Sequence, residues 1–141
     1  MTVAIHAVSS RRLPFVISTI RKLDRLTFPG DKPVEEDGCL WWLATGADRQ
    51  AVGFLCLETG RRTMMVRRYG VIASHRGLGL GRRFLKTAER AARRRGKLAV
   101  VSYTVPGNAG SMNAMIAAGY RTFVPKAKHY GDDVVYWIRR L

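Results

Sequence analysis

Acidic residues are scarce in this chain of 141 residues, in which ten Asp and Glu oppose 25 Lys and Arg and leave a formal net charge of +15. Eight of the basic residues fall between Arg82 and Lys97. Such a field attracts polyanions, whether nucleic acid, an acidic partner or the phosphates of a ligand. The same residues also fall on the outward side of a predicted amphipathic helix, where they would form an ordinary solvated face. Both interpretations stay open here.

Long apolar runs are missing too. No stretch approaches the ~20 residues that a membrane span requires, and the N-terminus lacks the charged and apolar regions of a secretory signal. We therefore expect no membrane association and a cytoplasmic location.

Only two cysteines are present, Cys39 and Cys56. A turn at residues 46–49 would bring them near each other across a hairpin, and in the cytoplasm we expect buried free thiols rather than a disulfide.

The chain shows no internal repeat, no low-complexity tract, no metal-ligand spacing and no evident Ser/His/Asp arrangement. Its length and its 47% hydrophobic content suffice for one hydrophobic core and are too small for two ordinary domains. We therefore expect a single domain over residues 1–141, without a bound metal.

Apolar periodicity predicts strands and helices in mixed α/β order. The predicted strands cover residues 3–8, 39–45, 50–58, 63–73, 98–105, 120–124 and 134–139. The predicted helices run from a cap at Ser9 or Ser10 to Leu26, through Phe84 to an end at Gly96, and from Asn108 as N-cap to Gly119 as the residue that ends the helix. Residues 39–58 form a hairpin, in which the adjacent Trp41 and Trp42 point to opposite faces.

The most informative segment is the glycine-rich stretch from His75 to Arg82, which lies between a predicted strand and a predicted helix. Glycines at alternate positions let the backbone approach a ligand closely, and the first amides of a helix bind anions, so the segment suits a pyrophosphate. It lacks the Lys-Ser or Lys-Thr pair of a P-loop. A Rossmann site is also disfavoured, because no acidic residue occurs between Glu89 and Asp132 to bind a ribose.

Two motifs carry a resemblance to a known family. The run Arg76-Gly77-Leu78-Gly79-Leu80-Gly81 resembles motif A of the GNAT superfamily of acetyl-CoA-dependent N-acetyltransferases, which reads [QR]-x-x-G-x-[GA]. Downstream, Asn108, Ser111, Gly119 and Tyr120 are similar in type and spacing to a second element of that family. The two motifs occur in the family's order, and the resemblance covers nearly the whole chain.

The resemblance implies a fold, a reaction and a donor site. The fold is a mostly antiparallel mixed sheet of six to seven strands, splayed at the donor site and flanked by three to four helices. The reaction is direct transfer of acetyl from acetyl-CoA to an amine in a ternary complex. The implied donor-binding residues are Val71, Ile72 and Ala73 for the pantetheine arm, Gly77, Leu78, Gly79, Leu80, Gly81 and Arg82 for the pyrophosphate, and Arg76, Asn108 and Ser111 for further contacts.

The resemblance leaves catalysis open at one position. The family often uses a tyrosine of the second motif as the acid that protonates the departing thiolate, and Met115 stands there in this chain. Tyr103, on the strand that leads to Asn108, is our candidate for proton transfer or for orienting the amine. Further candidates are Glu58, Tyr69, His129 and Tyr130.

Partners and alternative functions also stay open. The acceptor is a small-molecule or protein amine of unknown identity, and the acidic run at residues 35–37 would attract a cationic acceptor. Met115 keeps open a module that binds acyl-CoA without turnover. The charge keeps open a nucleic-acid-binding protein, which we rank third because no nucleic-acid-binding signature is present. A homodimer is compatible with the sequence.

Overall fold

The computed structural model describes residues 2–34, 38–128 and 130–141, in which seven strands and three α-helices form one mixed α/β layer structure. The strands are β1 (Ala4–Val8), β2 (Cys39–Thr45), β3 (Ala51–Thr59), β4 (Thr63–Val71), β5 (Ala99–Thr104), β6 (Arg121–Phe123) and β7 (Val135–Arg140). The helices are α1 (Leu13–Thr27), α2 (Leu80–Arg94) and α3 (Ala109–Ala117), with short 3₁₀ turns at Ala47–Arg49 and Ala73–His75.

The sheet has the order β1-β2-β3-β4-β5-β7-β6. Every neighbouring pair is antiparallel except β4 and β5, which are parallel. These two strands pair only from Thr63 to Val66 on β4 and from Ala99 to Ser102 on β5. Beyond that point β4 continues to Val71 without β5 beside it, so the sheet opens into a wedge. The mixed, mostly antiparallel and splayed sheet is thus confirmed.

Helices cover both faces of the sheet because the strands alternate apolar side chains between the two sides. On one face α2 buries Phe84, Leu85, Ala88, Ala91 and Ala92, as the helical spacing predicted. On the other face α1 packs through Ile20 and Leu23. Trp41 belongs to the core under α1 and Trp42 packs against the core under α2, which confirms their opposite orientation.

Several local predictions were wrong for identifiable reasons. Neither Ser9 nor Ser10 is the N-cap of α1: Arg12 holds that position without a side-chain cap, while the carbonyl of Ser9 accepts from the amides of Arg12 and Leu13. The fourth strand ends at Val71 rather than at Ala73, because the chain turns there into a 3₁₀ turn.

The two cysteines lie near each other across the hairpin, as predicted. Cys39 lies opposite Glu58 and Cys56 lies opposite Trp41, so the cysteines are diagonal rather than direct neighbours. Neither forms a disulfide; Cys56 is buried as predicted, whereas Cys39 is only half-buried because it begins β2 at the end of the hairpin. A hydrogen bond with Cys39, together with burial, raises the pKa of the Cys56 thiol, which keeps it protonated and unreactive.

Two predictions about position remain open. The acidic run Glu35-Glu36-Asp37 and the candidate His129 lie outside the described residues. Within residues 2–34, 38–128 and 130–141, no helix combines the length and the apolar character needed to cross a membrane.

Candidate active site

A glycine-rich loop joins β4 to α2 after the 3₁₀ turn at Ala73–His75. Gly77 and Gly79 have φ values of 76° and 80°, a backbone conformation that side chains other than glycine rarely adopt. A Cβ atom at either position would meet nothing within 4 Å. The loop therefore presents bare, accessible backbone to a ligand.

The amides of this loop are unused. The N–H groups of residues 77–82 donate no hydrogen bond to any described residue. Gly79 is the N-cap of α2, so the set includes the first-turn amides of a fifteen-residue helix. The positive end of the helix dipole lies at the same place, and both features favour the binding of phosphate or pyrophosphate.

A cleft of about 640 Å³ opens beside the loop. Nine of the predicted donor-binding residues line it: Val71, Arg76, Gly77, Gly79, Leu80, Gly81, Arg82, Asn108 and Ser111. Ile72, Ala73 and Leu78 do not, and the side chain of Leu78 is exposed instead. Thr27 and Phe28, at the end of α1, also line the cleft, although nothing in the sequence indicated them.

The backbone of β4 explains why Val71 and not Ile72 faces this cleft. The amide of Ile72 donates to the carbonyl of Val52 at 2.9 Å, so the backbone of Ile72 is directed toward β3. Because the direction alternates along a strand, the amides and carbonyls of Tyr69 and Val71 are directed into the wedge beside β5. Arg76 Nε donates to the Val71 carbonyl at 3.0 Å, which holds that arginine at the mouth of the cleft.

Asn108 and Ser111 meet at the start of α3. Asn108 is the N-cap of that helix, as predicted, and its Oδ1 accepts from the amide of Ser111 at 3.2 Å. Both residues also line the cleft. Capping and exposure to the cleft are therefore compatible, because the cap uses the side chain of Asn108 and only the backbone of Ser111.

A second, narrower cleft of about 100 Å³ continues into the wedge between β4 and β5. The two clefts share Phe28, Tyr69, Asn108 and Ser111, so they meet at these residues. Tyr103 and Met115 line only the second cleft, and Met115 is fully buried. Its thioether cannot donate a proton at the junction.

Tyr69 carries a notable polar atom at this junction. Its hydroxyl is buried and has no hydrogen-bond partner within the described residues. Burial raises the pKa of Tyr69, although the side chain of Ser111, which lies near the hydroxyl without reaching hydrogen-bond geometry, opposes that shift. A buried hydroxyl without a partner is costly in a folded protein, so this atom fits a ligand that supplies the missing partner.

Tyr103 lies in a cluster that the sequence did not reveal. Its ring stacks on Tyr130 with centroids 4.2 Å apart and an interplanar angle of 11°. The Tyr130 hydroxyl donates to Glu58 Oε2 at 3.1 Å, and Arg67 Nη1 donates to the same oxygen at 3.0 Å. Burial, with Glu58 adding to it, raises the pKa of Tyr130 to about 12 despite Arg67. Three of the candidates for proton transfer, Tyr103, Tyr130 and Glu58, thus lie together.

Arg67 reaches this cluster because β4 is irregular there. Cys56 pairs with Arg68 and Leu57 pairs with Val66, so Arg67 is the extra residue of a β-bulge. Its guanidinium lies 5.0 Å from the Tyr130 ring centroid. The bulge sits where β4 and β5 stop pairing, and it places a charged residue at the entrance of the wedge.

The arrangement therefore joins an anion-binding loop to an enclosed wedge that carries tyrosines and a carboxylate. Within the described ranges, no three His, Cys, Asp or Glu side chains come close enough to hold a metal ion. The chemistry on offer is binding of a phosphate-bearing ligand and proton transfer at its far end.

Comparisons with known proteins give the family. The sequence model of the acetyltransferase (GNAT) family matches residues 10–120. No protein with a curated function matches the chain.

Solved structures share the fold at low sequence identity. An IAA acetyltransferase from Bacillus cereus has a TM-score of 0.77 at 17% identity, covering 99% of this chain and 100% of the other. An acetyltransferase from Bacillus subtilis in complex with CoA has a TM-score of 0.78 at 16% identity, and the match covers 99% of both chains. The ribosomal-protein-S18-alanine N-acetyltransferase from Escherichia coli has a TM-score of 0.77 at 12% identity, and the match covers 99% of this chain and 94% of the other. With the family match over most of its length, the chain belongs to the acetyltransferase (GNAT) family.

Proposed function

We propose that this protein transfers the acetyl group of acetyl-CoA to an amine by direct attack in a ternary complex. The observation that carries the proposal is the continuity of the two clefts. One end offers the free amides of residues 77–82 to a pyrophosphate, and the other opens into a wedge with tyrosine side chains. A long donor with phosphates at one end and a reactive thioester at the other matches this shape.

The residues present fit acetyl-CoA. The loop amides would hold the pyrophosphate, with Arg76 and Arg82 adding positive charge at the mouth of the first cleft. The backbone of Val71 would pair with the amides of the pantetheine arm, as a missing strand partner would. Bound acetyl-CoA supplies the acetyl group as a thioester. The Bacillus subtilis structure was solved with CoA, which supports this class of ligand.

Two proton transfers are needed, and the wedge has a tyrosine for each. The amine must lose a proton to become nucleophilic, and the thiolate benefits from gaining one. Tyr103 lines the wedge only, and we assign it to the amine, which its hydroxyl would orient while relaying the amine's proton to water. Tyr69 Oη lies where the two clefts meet, beside Met115, and we assign it to the thiol. Because burial raises its pKa, Tyr69 holds its proton at neutral pH.

The acceptor side combines aromatic rings with carboxylates. Phe28 and Tyr103 line the wedge together with Asp31. Asp31 and Glu58 are each paired with an arginine, at 4.0 Å and 3.0 Å. The ring faces would therefore contact an ammonium group directly, which suits an amine on a small molecule or a protein. We further propose a cytoplasmic location, because neither Cys39 nor Cys56 forms a disulfide.

Met115 favours one competing function, a module that binds acyl-CoA without turnover. Release of free thiol from acetyl-CoA, measured with a panel of polyamines, aminoglycosides, amino-acid amides and peptides, separates the two. We expect at least one amine to raise thiol release well above the rate without amine. Saturable acetyl-CoA binding with no amine-dependent release across the panel would favour the binding module.

A further inference from the structure

A second groove lies on the α2 face of the sheet, apart from both clefts of the active site. Its volume is about 410 Å³. One wall is α2, which contributes Arg83, Arg90 and Arg94, with Arg95 directly after the helix, and the floor is formed by β1 and by Trp42 of β2. Because β1 is an edge strand of the sheet, this floor lies at the margin of the molecule.

Arg83, Arg90 and Arg94 share one face of α2 because, with Thr87 between them, they recur at intervals of three to four residues. Arg83 to Arg94 spans roughly 17 Å along the helix axis. No carboxylate lines the groove among the described residues. The one acidic residue of α2, Glu89, forms an ion pair with Arg139 of β7 at 3.3 Å.

The charges in the groove are also uncompensated. Arg90 and Arg94 form no hydrogen bond or ion pair with any described residue. Arg83 donates to the Val3 carbonyl at 2.8 Å, and Arg95 donates to the Ala91 carbonyl at 3.3 Å. Both bonds orient a guanidinium without neutralising it. Like charges four residues apart, as at Arg90 and Arg94, destabilise a helix, and an anionic ligand would remove that cost.

From this geometry we infer that the groove of Arg83, Arg90, Arg94 and Arg95 binds the phosphate backbone of a single-stranded nucleic acid. Guanidinium groups bind phosphate oxygens in a planar, bidentate geometry. Trp42 is half-buried and its exposed part lies in the groove, where a base can stack on it. Proteins that bind single-stranded nucleic acid commonly combine a cationic groove with aromatic side chains on which bases stack. The groove does not depend on the proposed acetyl transfer.

The test is fluorescence anisotropy of a labelled twelve-nucleotide oligouridylate over a range of salt concentrations. Four phosphate contacts predict a slope of about −3 for log K against log salt, since each contact to a single strand contributes about −0.7. The double variant Arg90→Glu, Arg94→Glu should weaken binding by at least ~30-fold and, because two contacts are lost, flatten the slope by about 1.4. Its acetyl-CoA affinity should not change.

The matched control reverses two exposed charges on α1, which lies on the opposite face of the sheet: Lys22→Glu with Arg25→Glu. This variant has the same net charge as the groove variant and should bind the probe within about threefold of the parent protein. Equal losses in both double variants would overturn the inference, because binding would then follow net charge alone. Equal binding of a twelve-base-pair duplex, or displacement of the probe by polyglutamate at the same charge concentration, would also overturn it.

Discussion

Replacing Tyr103 with phenylalanine is expected to lower the rate of acetyl transfer by about 10²-fold or more, the loss typical of removing acid–base assistance. The Tyr103 hydroxyl makes no hydrogen bond to a described residue, whereas its ring stacks on Tyr130. Phenylalanine preserves the stacking and removes only the hydroxyl. The affinity for acetyl-CoA should therefore stay within a few fold of the parent value, which calorimetry can check. The packing should also survive, so thermal unfolding should occur near the temperature of the parent protein.

The variant Tyr130→Phe is the comparison for this result. It removes the hydrogen bond to Glu58 and keeps the stacked ring. If Tyr103 itself serves the amine, this variant should retain more activity than Tyr103→Phe. Full turnover by Tyr103→Phe would eliminate the assignment and move attention to the pair of Glu58 and Tyr130.

Replacing Tyr69 with phenylalanine is expected to lower kcat by about 10²-fold, at the low end for acid–base assistance, because a thiolate with a pKa near 8.5 is already a fair leaving group. Since burial raises the pKa of Tyr69, the rate of the parent enzyme should fall above pH 10, as the hydroxyl loses its proton. A pH profile of kcat measures this. Tyr69→Phe should lack that alkaline limb.

A rescue experiment separates proton donation from packing. If Tyr69 supplies the proton that Met115 cannot, the double variant Tyr69→Phe, Met115→Tyr should recover part of the lost kcat and regain an alkaline limb. The control Tyr69→Phe, Met115→Leu fills the same buried position without a titrating group and should recover nothing. An unchanged kcat in Tyr69→Phe, or equal recovery by tyrosine and leucine at position 115, would contradict the role.

Local patterns in the sequence predicted those parts of the fold that depend on neighbouring residues. The buried positions of α2 follow from helical spacing, from Phe84 to Ala92. Asn108 caps α3 through a bond to a residue three positions later. Gly119, with a φ of 87°, ends the same helix as predicted. Such features are readable because each is decided within one or two turns of chain.

Features that depend on distant contacts were not readable. The bulge at Arg67 and the diagonal placement of Cys39 and Cys56 arise from strand pairing, where one extra residue changes the register. The hydrogen bond of Tyr130 to Glu58 joins residues 72 positions apart. The glycine loop itself was predicted from sequence, whereas the free hydroxyl of Tyr69 depends on how α2 and α3 pack against β4.

The donor site at the glycine-rich loop is tested most directly by calorimetric titration of acetyl-CoA into the parent protein and two glycine variants. Gly79→Val and Gly96→Val place the same side chain at the two ends of α2, where both glycines have positive φ and open space around them. The two positions therefore carry a similar conformational cost, and roughly 20 Å of helix separates them. Folding of both variants is verified by circular dichroism.

We expect the parent protein to bind acetyl-CoA, Gly79→Val to bind at least ~10-fold more weakly because a side chain blocks the approach of the pyrophosphate to the loop amides, and Gly96→Val to bind like the parent. Unchanged affinity in a folded Gly79→Val protein, or an equal loss in both variants, would contradict the assignment of the donor site to this loop.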